Sequence, residues 1–400
     1  MNLSSSVVVI GGGPVGAVAA LRLAQLGIDV TLLEQHADCP EDMRASTFHP
    51  PTLEMMQELG LLDALDADGL RAPVYQYRNR RSGNVIELDM SEIADLTRFP
   101  WRLQCEQYKL ARLATQALSE LPNGRVLFQR RLLSFEQDEK GVSIHVESPL
   151  EIEHLRADYL IAADGSSSTV RKWLDVAFSG FTYPERFLTL STAYPLEECF
   201  DNLAKVNYIS DADEWCVMLR VPTLWRILVP ARGNETDAEL LSDARKDSVL
   251  QGLTGTQESI TTYHRTLYRV HQRVADSFRH GRVLLVGDSA HLNNPLGGFG
   301  MNSGIHDAWN LCEKLRRIYQ EGADADRELD HYDRQRRNIA MDFVQAQTIS
   351  NKKAIESPDA NGVSEMESHL ALMLKDESAR RTYLERQAMI QSLRRESEIA

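Results

Sequence analysis

A chain of 400 residues is long enough for two or three domains of roughly 100 to 200 residues each, and its 43% hydrophobic and 26% charged content is ordinary for globular proteins. Its formal net charge of -14 supplies no basic field, which argues against nucleic acid or an anionic membrane surface as a partner. The five cysteines lie singly with no C-x-x-C pair, so we expect reduced structural thiols and no metal site.

Residues 5–34 predict a strand, a glycine-rich turn, a helix and a second strand. A β-branched run precedes "GGGPVG", an Ala/Leu-rich stretch ends at Gly27, and "IDVTLLE" follows. The apolar window from Val7 to Ala20 is too short to cross a bilayer and is interrupted by glycines and Pro14. We therefore expect a soluble, cytoplasmic protein without a membrane span.

The predicted secondary-structure pattern changes twice in the middle of the chain. Helical spacing is found in 51–65 and 107–121, and strand patterns in 125–137, 141–148 and 157–163. Residues 178–270 contain short β-rich pieces with a helix-like insert near 235–250, which predicts a mostly antiparallel sheet. Residues 281–304 return to an α/β pattern, and the chain after Asp307 is mainly helical and charged.

The first glycine-rich turn has the spacing of a dinucleotide-binding motif. Gly11, Gly13 and Gly16 fit G-x-G-x-x-G directly between a strand and a helix, and Glu34 ends the next strand about 20 residues later. Pro14, within the turn, is counted with the glycines and Glu34 among the expected cofactor-binding residues. The glycines allow a tight turn and close approach to a pyrophosphate, while the acidic residue accepts ribose hydroxyls. The alternative is a turn kept for packing alone, and the motif does not choose between NAD and FAD.

A second glycine-rich turn, within residues 281–304, favours FAD. A buried strand delivers a carboxylate that can accept hydrogen bonds from the hydroxyls of a sugar-like chain. Free amides in the following turn and at the start of the next helix, expected near Met301 and Asn302, can face electron-rich ring oxygens. The residues expected at this end of the ligand are Asp288, Gly298, Gly300, Met301 and Asn302. A ligand held by both turns has an adenosine diphosphate end and a distant polar end, as FAD has.

Three motifs in this order resemble those of the single-component FAD-dependent aromatic hydroxylases, the p-hydroxybenzoate hydroxylase type of flavoprotein monooxygenase. They are "GGGPVG" with Glu34, "ADGSSSTVR" with Asp164, and "GDSAHLNNPLGGFGMN" with Asp288. The resemblance covers roughly residues 5 to 350 by layout. It implies that Asp164 lies near the pyrophosphate.

Two further positions take roles from this resemblance alone. Arg44, in "RASTFHPPTLEMM", matches the family's flavin-contacting arginine. Gln107, before its helix, matches a glutamine near the ribityl chain, and Gln104 is the alternative for that role.

The resemblance implies an FAD-dependent monooxygenase that hydroxylates a small aromatic or heteroaromatic ring, phenolic or pyridine-type, through a flavin C4a-hydroperoxide. The reaction would use O2, with NADH or NADPH as a transient reductant. An FAD-dependent reductase or dehydrogenase of the same fold, or a non-enzymatic flavin-binding module, is the alternative. The sequence leaves the ring substrate, the choice of nicotinamide and the oligomeric state open, with a homodimer as one option.

The expected fold is α/β, with a Rossmann-like FAD-binding domain, a mostly antiparallel β-sheet substrate domain and a helical C-terminal region. The predicted segments are 1–70, 104–177 and 273–320 for the FAD-binding domain, 71–103 and 178–272 for the substrate domain, and 321–400 for the helical region. No catalytic side chain is assigned.

Four residues are weaker candidates for contact with the substrate. His49 could face the flavin or substrate, or be a loop residue with satisfied hydrogen bonds. Arg226, in "WRILVP", could hold a carboxylate or phenolate, or point outward from its sheet. Tyr208 and Trp215 could line an aromatic pocket or belong to the core.

The arginines in residues 334–337 form a charged cluster with two possible roles. Arg334, Arg336 and Arg337 could form a docking site, but a solvated helix face is the ordinary explanation for such a cluster.

Overall fold

The computed structural model describes residues 2–41, 45–211, 214–231, 233, 235–356 and 365–400. Within these residues two eight-stranded sheets and a three-stranded sheet are followed by a run of helices. The fold is α/β with a helical C-terminal region, as the sequence predicts.

The strands, in chain order, are β1 (Asn2–Ile10), β2 (Val30–Leu33), β3 (Thr47–Phe48), β4 (Leu70–Ala72), β5 (Val74–Asn79), β6 (Val85–Asp89), β7 (Arg102–Gln104), β8 (Gly124–Leu127), β9 (Arg131–Asp138), β10 (Gly141–Glu147), β11 (Ile152–Ala162), β12 (Phe178–Thr192), β13 (Val206–Ser210), β14 (Cys216–Arg220), β15 (Trp225–Pro230), β16 (His264–Ala275), β17 (Arg279–His280), β18 (Val283–Leu285) and β19 (His291–Leu292). The helices are α1 (Pro14–Gln25), α2 (Pro50–Glu58), α3 (Leu62–Ala67), α4 (Gln107–Ser119), α5 (Thr169–Trp173), α6 (Asp237–Leu240), α7 (Asp243–Thr254), α8 (Phe299–Arg316), α9 (Ala325–Ile339), α10 (Ala346–Glu356), α11 (Glu365–Met373), α12 (Glu377–Gln387) and α13 (Ile390–Glu398).

The first sheet has the strand order β17-β18-β11-β1-β2-β8, and the β9–β10 hairpin extends it from β11. Strand β1 runs parallel to both β2 and β11. Val7, Val8 and Val9 are all fully buried, which is why this strand reads as a continuous apolar run rather than an alternating one. Helix α1 connects β1 to β2, and its Ala-rich surface packs close to the sheet.

The second sheet has the order β19-β16-β12-β15-β14-β13-β5-β6 and is antiparallel except where β13 pairs with β5. It contains the predicted β-rich segment together with the β5–β6 hairpin, which comes from an earlier part of the chain. A small sheet of β3, β7 and β4 also forms. The exact domain boundaries stay a prediction.

Two predicted helix bounds differ from the structure. The segment 51–65 forms two helices, α2 and α3, because the chain turns at Gly60 with φ +75, a left-handed conformation that glycine adopts without strain. The helix expected near Met301 begins earlier, at Phe299. Among the described helices, none combines the length and apolar character needed to cross a membrane.

Candidate functional site

The three motif glycines of the first turn differ in why they must be glycine. A Cβ at Gly11, which has φ +107, would lie 2.3 Å from the carbonyl oxygen of Ala163, and one at Gly16 would lie 2.0 Å from the carbonyl oxygen of Gly11. These two glycines are therefore required by the packing of β1, α1 and β11. A Cβ at Gly13 would meet no atom of the described chain within 4 Å. Packing alone gives no reason for glycine at that position.

The N-terminus of α1 is free to face an anion. Gly13 is the N-cap and provides no side-chain hydrogen bond, Pro14 occupies the start of the helix, and the first turn contains no acidic residue. The unpaired backbone N–H groups and the positive end of the helix dipole are thus not neutralised by the chain. Such a helix start suits a phosphate group.

Glu34 lies directly beside this turn. Its side chain is buried, and its Oε2 accepts a hydrogen bond from the backbone N–H of Gly12 at 2.7 Å while Oε1 accepts one from the N–H of His36 at 2.9 Å. Two carboxylate oxygens have about four acceptor sites, so acceptors remain for ribose hydroxyls. The two backbone bonds fix the orientation of the carboxylate.

Asp164 follows β11 next to the same turn, since its Cα would be 3.1 Å from a Cβ at Gly11. Its carboxylate accepts hydrogen bonds from the Ser168 hydroxyl at 2.5 Å and from the N–H of Val170 at 3.1 Å. Burial raises the pKa of Asp164 above its ordinary value, against the effect of these hydrogen bonds. The carboxylate therefore organises the start of α5, and its expected position near a pyrophosphate stays a prediction.

The second turn begins where β18 ends. Asp288 lies in a short 3₁₀ turn, Gly287–Ser289, that is joined to β11 by a 2.6 Å hydrogen bond from the Ser289 hydroxyl to the Ala162 carbonyl. A Cβ at Gly287 would be 3.1 Å from the Val15 side chain at the start of α1. The two glycine-rich turns are therefore neighbours, and one extended ligand can reach both.

A buried ionic network supports the turn that carries Asp288. Asp307 accepts hydrogen bonds from the N–H of Gly287 at 3.0 Å, from Nε2 of His291 at 2.8 Å and from Nε of Arg336 at 2.7 Å. Burial opposes ionisation of Asp307, but the charges of His291 and Arg336 outweigh it and lower the pKa. Arg336 also pairs with Glu396, so helices α9 and α13 both contribute.

This network corrects the interpretation of Arg336 as part of an exposed helix face or docking site. Its side chain is fully buried, whereas that of Arg337 is 31% exposed. The helical spacing of charges could not distinguish the two, because the partner of Arg336, Asp307, lies on another helix.

The glycine turn before α8 is held against β3 and α2 by Asn302. The Asn302 side chain accepts a hydrogen bond from the N–H of His49 and donates to the carbonyl oxygens of Thr47 and Gly298, at 2.9, 2.8 and 2.7 Å. Gly297 and Gly298 have φ of +108 and +72, in the left-handed region that favours glycine. No acidic residue lies in the first turn of α8, so its backbone N–H groups can face a polar ring edge.

His49 is fully buried at this turn. Its Nε2 donates to the Gly297 carbonyl at 2.8 Å, and its ring lies 5.3 Å from that of Phe299. Burial, and secondly the charge of Arg102, lowers the pKa of His49 well below its usual value, so the ring is neutral. Its hydrogen bonding resembles that of a structural loop histidine, although Nδ1 has no partner.

The structure separates the two glutamine candidates. Gln107 is the first residue of α4 and is partly exposed. Gln104 is fully buried, its Oε1 accepts a hydrogen bond from the Thr47 hydroxyl at 3.0 Å, and its Nε2 has no partner. Thr47 in turn lies beside Gly298, 3.1 Å from where a Cβ would be. Arg44 lies outside the described residues.

The substrate candidates on the second sheet are all buried. The Nη1 of Arg226 donates to the Ser46 hydroxyl at 3.3 Å, so its guanidinium points inward and the outward interpretation is wrong. Tyr208 stacks on Tyr77 with ring centroids 4.9 Å apart. Trp215 packs against Phe187 in the core of this sheet.

Sequence reasoning missed two buried charged residues near these groups, Asp307 and Arg102. Arg102 had one usable signal, since it alternates with Gln104 in the short strand β7, and two polar residues on one face of a buried strand are unusual. Asp307 had none, because a single acidic residue inside a helix is commonplace.

Comparison with known proteins identifies relatives that are similar to most of this chain. The sequence model described as FAD binding domain matches residues 4–347. Para-nitrophenol 4-monooxygenase of Pseudomonas sp. (strain WBC-3) is 33% identical over 355 residues, which is 88% of this chain and 87% of that protein. The 6-hydroxy-3-succinoylpyridine 3-monooxygenase HspB of Pseudomonas putida is 31% identical over 356 residues, 88% of this chain and 89% of that one.

A solved structure is similar over nearly the whole chain. The crystal structure of p-nitrophenol 4-monooxygenase PnpA from Pseudomonas putida DLL-E4 superposes with a TM-score of 0.88 at 29% identity. The similarity covers 97% of this chain and 98% of that one.

Proposed function

We propose that the substrate of this enzyme is a phenol or a hydroxypyridine, since the chain belongs to the FAD binding domain family. Within that family it is a flavin-dependent monooxygenase that hydroxylates small aromatic compounds. Support comes from the printed activities of the two relatives, of which one acts on para-nitrophenol and the other on a hydroxylated pyridine. Both cover nearly nine tenths of this chain.

The reaction consumes one ring substrate, one O2 and one NAD(P)H with a proton. One oxygen atom binds to an activated ring carbon as a hydroxyl group, and the other leaves as water. A hydrogen on that carbon leaves as a proton, whereas a nitro group there, as at C4 of 4-nitrophenol, leaves as nitrite and the ring becomes a quinone. The reduced nicotinamide supplies the two electrons. FAD, when bound, takes up those electrons and activates O2, which no amino-acid side chain can do. The chain itself must bind the cofactor, orient the ring and exclude water.

The observation that carries the cofactor assignment is the open space at Gly13. The fold does not require glycine there, the free start of α1 faces the same space, and Glu34 lies alongside. We assign the pyrophosphate to Gly11, Gly13, Pro14 and the start of α1, and the adenosine ribose to Glu34. These groups suit an adenosine diphosphate in shape and charge.

The contacts to the ribityl chain and the flavin ring are assigned from the closeness of the two glycine-rich turns. We assign the ribityl chain to Asp288 and the flavin ring to the Gly298–Gly300 turn with the N–H groups of Met301 and Asn302. Between the two glutamine candidates, the buried and partly unpaired amide of Gln104 supports that residue over Gln107. Arg44 keeps the flavin contact that the resemblance implies.

The test uses purified protein with its bound cofactor. We expect a yellow protein that releases FAD on denaturation and oxidises NADH or NADPH faster when 4-nitrophenol or a hydroxypyridine is added. Incorporation of label from ¹⁸O2 into the ring product identifies a monooxygenase. Unchanged turnover without O2 would indicate a reductase or dehydrogenase instead, and bound FAD without stimulated oxidation would indicate a binding module.

A further inference from the structure

Arg102 is a buried arginine with no counter-ion in the part of the chain that the structure describes. Its side chain is 1% exposed, and it forms no ion pair with any carboxylate of the described residues. Its Cζ lies 4.2 Å from the ring centroid of Tyr75, its Nη1 lies 3.4 Å from the Tyr208 hydroxyl, and its Nε has no hydrogen-bond partner. Arg336 is equally buried but is paired with two carboxylates.

This arrangement leaves a positive charge uncompensated. An arginine side chain stays protonated in proteins, and buried charges are normally paired or bind a ligand because desolvation is strongly unfavourable. The adjacent Tyr75 supplies no negative charge, because burial raises the pKa of its hydroxyl well above the usual value.

Arg102 lies between the flavin-ring end of the site and the second sheet. It projects from the same face of β7 as Gln104, whose amide bonds to Thr47 beside Gly298. Its charge is close enough to depress the pKa of His49, which bonds to the glycine turn. On its other side lie the tyrosines of β5 and β13.

Three of the unpaired polar groups in this region can donate a hydrogen bond. The Tyr75 hydroxyl, Arg102 Nε and Gln104 Nε2 are all buried and have no partner among the described residues, whereas the unpaired Nδ1 of His49 can only accept. A group that accepts several hydrogen bonds and is negatively charged complements this set.

We propose that Arg102, with the hydroxyls of Tyr75 and Tyr208, binds a negatively charged oxygen on the ring substrate, so that the enzyme selects anionic rings over neutral ones. The inference rests on the proposed function because it takes the ring substrate as the ligand. A phenolate oxygen also donates electron density to the ring carbons that receive the hydroxyl. The anionic oxygen is that of a phenolate or of a ring carboxylate.

The test compares three rings of similar size binding to the FAD-loaded protein without NAD(P)H. They are 4-nitrophenol, 4-nitrobenzoate and the neutral 4-nitroanisole, with affinity measured by calorimetry. We expect at least one anion to bind about 10- to 100-fold more tightly than 4-nitroanisole, as for a hydrogen bond to a charged group. Tighter binding of nitrophenolate identifies a phenolate site, and tighter binding of nitrobenzoate a carboxylate site. If the neutral ring binds as tightly as both anions, the proposal is wrong.

Variants then identify the residue responsible. Arg102→Gln should remove the preference for the anion and leave the affinity for 4-nitroanisole within about threefold, while Arg102→Lys should restore part of the preference. The yellow colour of bound 4-nitrophenolate gives a second readout, since the parent should lower the pKa of the bound phenol and Arg102→Gln should not. Arg226→Gln tests the rival residue, because Arg226 is another buried arginine of this region and is itself a candidate for holding an anionic substrate. Loss of the preference in Arg226→Gln but not in Arg102→Gln overturns the proposal.

Tyr208→Phe covers the case in which Arg102→Gln does not fold. It keeps the ring stacked on Tyr77 and removes only the hydroxyl, so the preference for the anion should fall severalfold with FAD content unchanged. An unaltered preference in Tyr208→Phe would count against its part in the site. Preference for the anion without substrate-stimulated NAD(P)H oxidation would preserve this inference and reject the proposed function.

Discussion

Replacing Gly13 by valine tests whether the first turn binds the cofactor. Gly13 has φ -70 and ψ 177, which any residue adopts, and a Cβ there meets no atom of the described chain within 4 Å. Valine is a poor N-cap, at a cost of about 1 kcal/mol, and the loss of glycine's flexibility offsets about 0.4–1 kcal/mol of that. The free energy of unfolding of the apoprotein should therefore change by no more than about 1 kcal/mol.

FAD binding should change far more. A valine side chain at Gly13 occupies the space assigned to the pyrophosphate and prevents close approach to the N–H groups of α1. Losing two hydrogen bonds to a charged phosphate, each worth about 1.5–3 kcal/mol, weakens FAD binding by roughly 100- to 10,000-fold. The variant should purify as colourless, folded apoprotein.

Two other glycines serve as controls in the same assays. Gly252→Val, in α7, also introduces a side chain into open space without a positive φ, and it should retain FAD. Gly11→Val should fail to fold, because its side chain meets the Ala163 carbonyl and its φ is +107. FAD affinity is measured by fluorescence titration of apoprotein, and stability by urea unfolding. If Gly13→Val binds FAD with the affinity of the parent, the pyrophosphate does not pass this residue and the assignment is refuted.

Three further changes test the rest of the site. Asp288→Ala should weaken FAD binding by about 10- to 100-fold in the same titration while the protein stays folded, and an unchanged affinity would remove Asp288 from the ribityl contact. Arg336→Met removes the buried partner of both Asp307 and Glu396 and should lower the free energy of unfolding by about 3–5 kcal/mol, whereas the partly exposed control Arg337→Met should change it by less than about 0.5 kcal/mol. Burial, and secondly the charge of Arg336, lowers the pKa of His306 from 6.5 to about 3. Below pH 6.5 His306 binds a proton in the unfolded chain but not in the folded one, so the free energy of unfolding falls by about 1.4 kcal/mol per pH unit as the pH drops from 6.5 towards 3. In His306→Gln, the free energy of unfolding measured with urea should lose this part of its pH dependence.

The sequence alone predicted the fold class and both glycine-rich turns. These features depend on local signals: a continuous apolar run for a strand buried on both faces, helical spacing, and glycine where the backbone needs a positive φ or close approach. Gly11 and Gly16 are required by contacts with elements directly next to the turn. For the same reason the order of strand, turn and helix at Asp288 could be predicted.

We propose Gln104 over Gln107 as the ribityl contact on the basis of the tertiary structure. The two residues are three positions apart, and the resemblance favoured Gln107, yet Gln104 is the one buried beside Thr47. The segment 51–65 is divided into two helices at Gly60, whose left-handed φ ends α2, although the apolar spacing is continuous across the break.

Only the tertiary structure could distinguish the buried arginines from the exposed ones. Arg336 and Arg337 are adjacent in one charged helix, and Arg102 and Arg226 each follow a tryptophan at a short strand, but burial and partners come from residues tens to hundreds of positions away. Arg336 is paired with Asp307, whereas Arg102 contacts Tyr75 and Tyr208 and pairs with no carboxylate of the described residues. A local pattern determines which secondary structure a residue joins, and the charge of a distant neighbour determines what its side chain can bind, because electrostatic energy depends on distance in space and on burial rather than on separation along the chain.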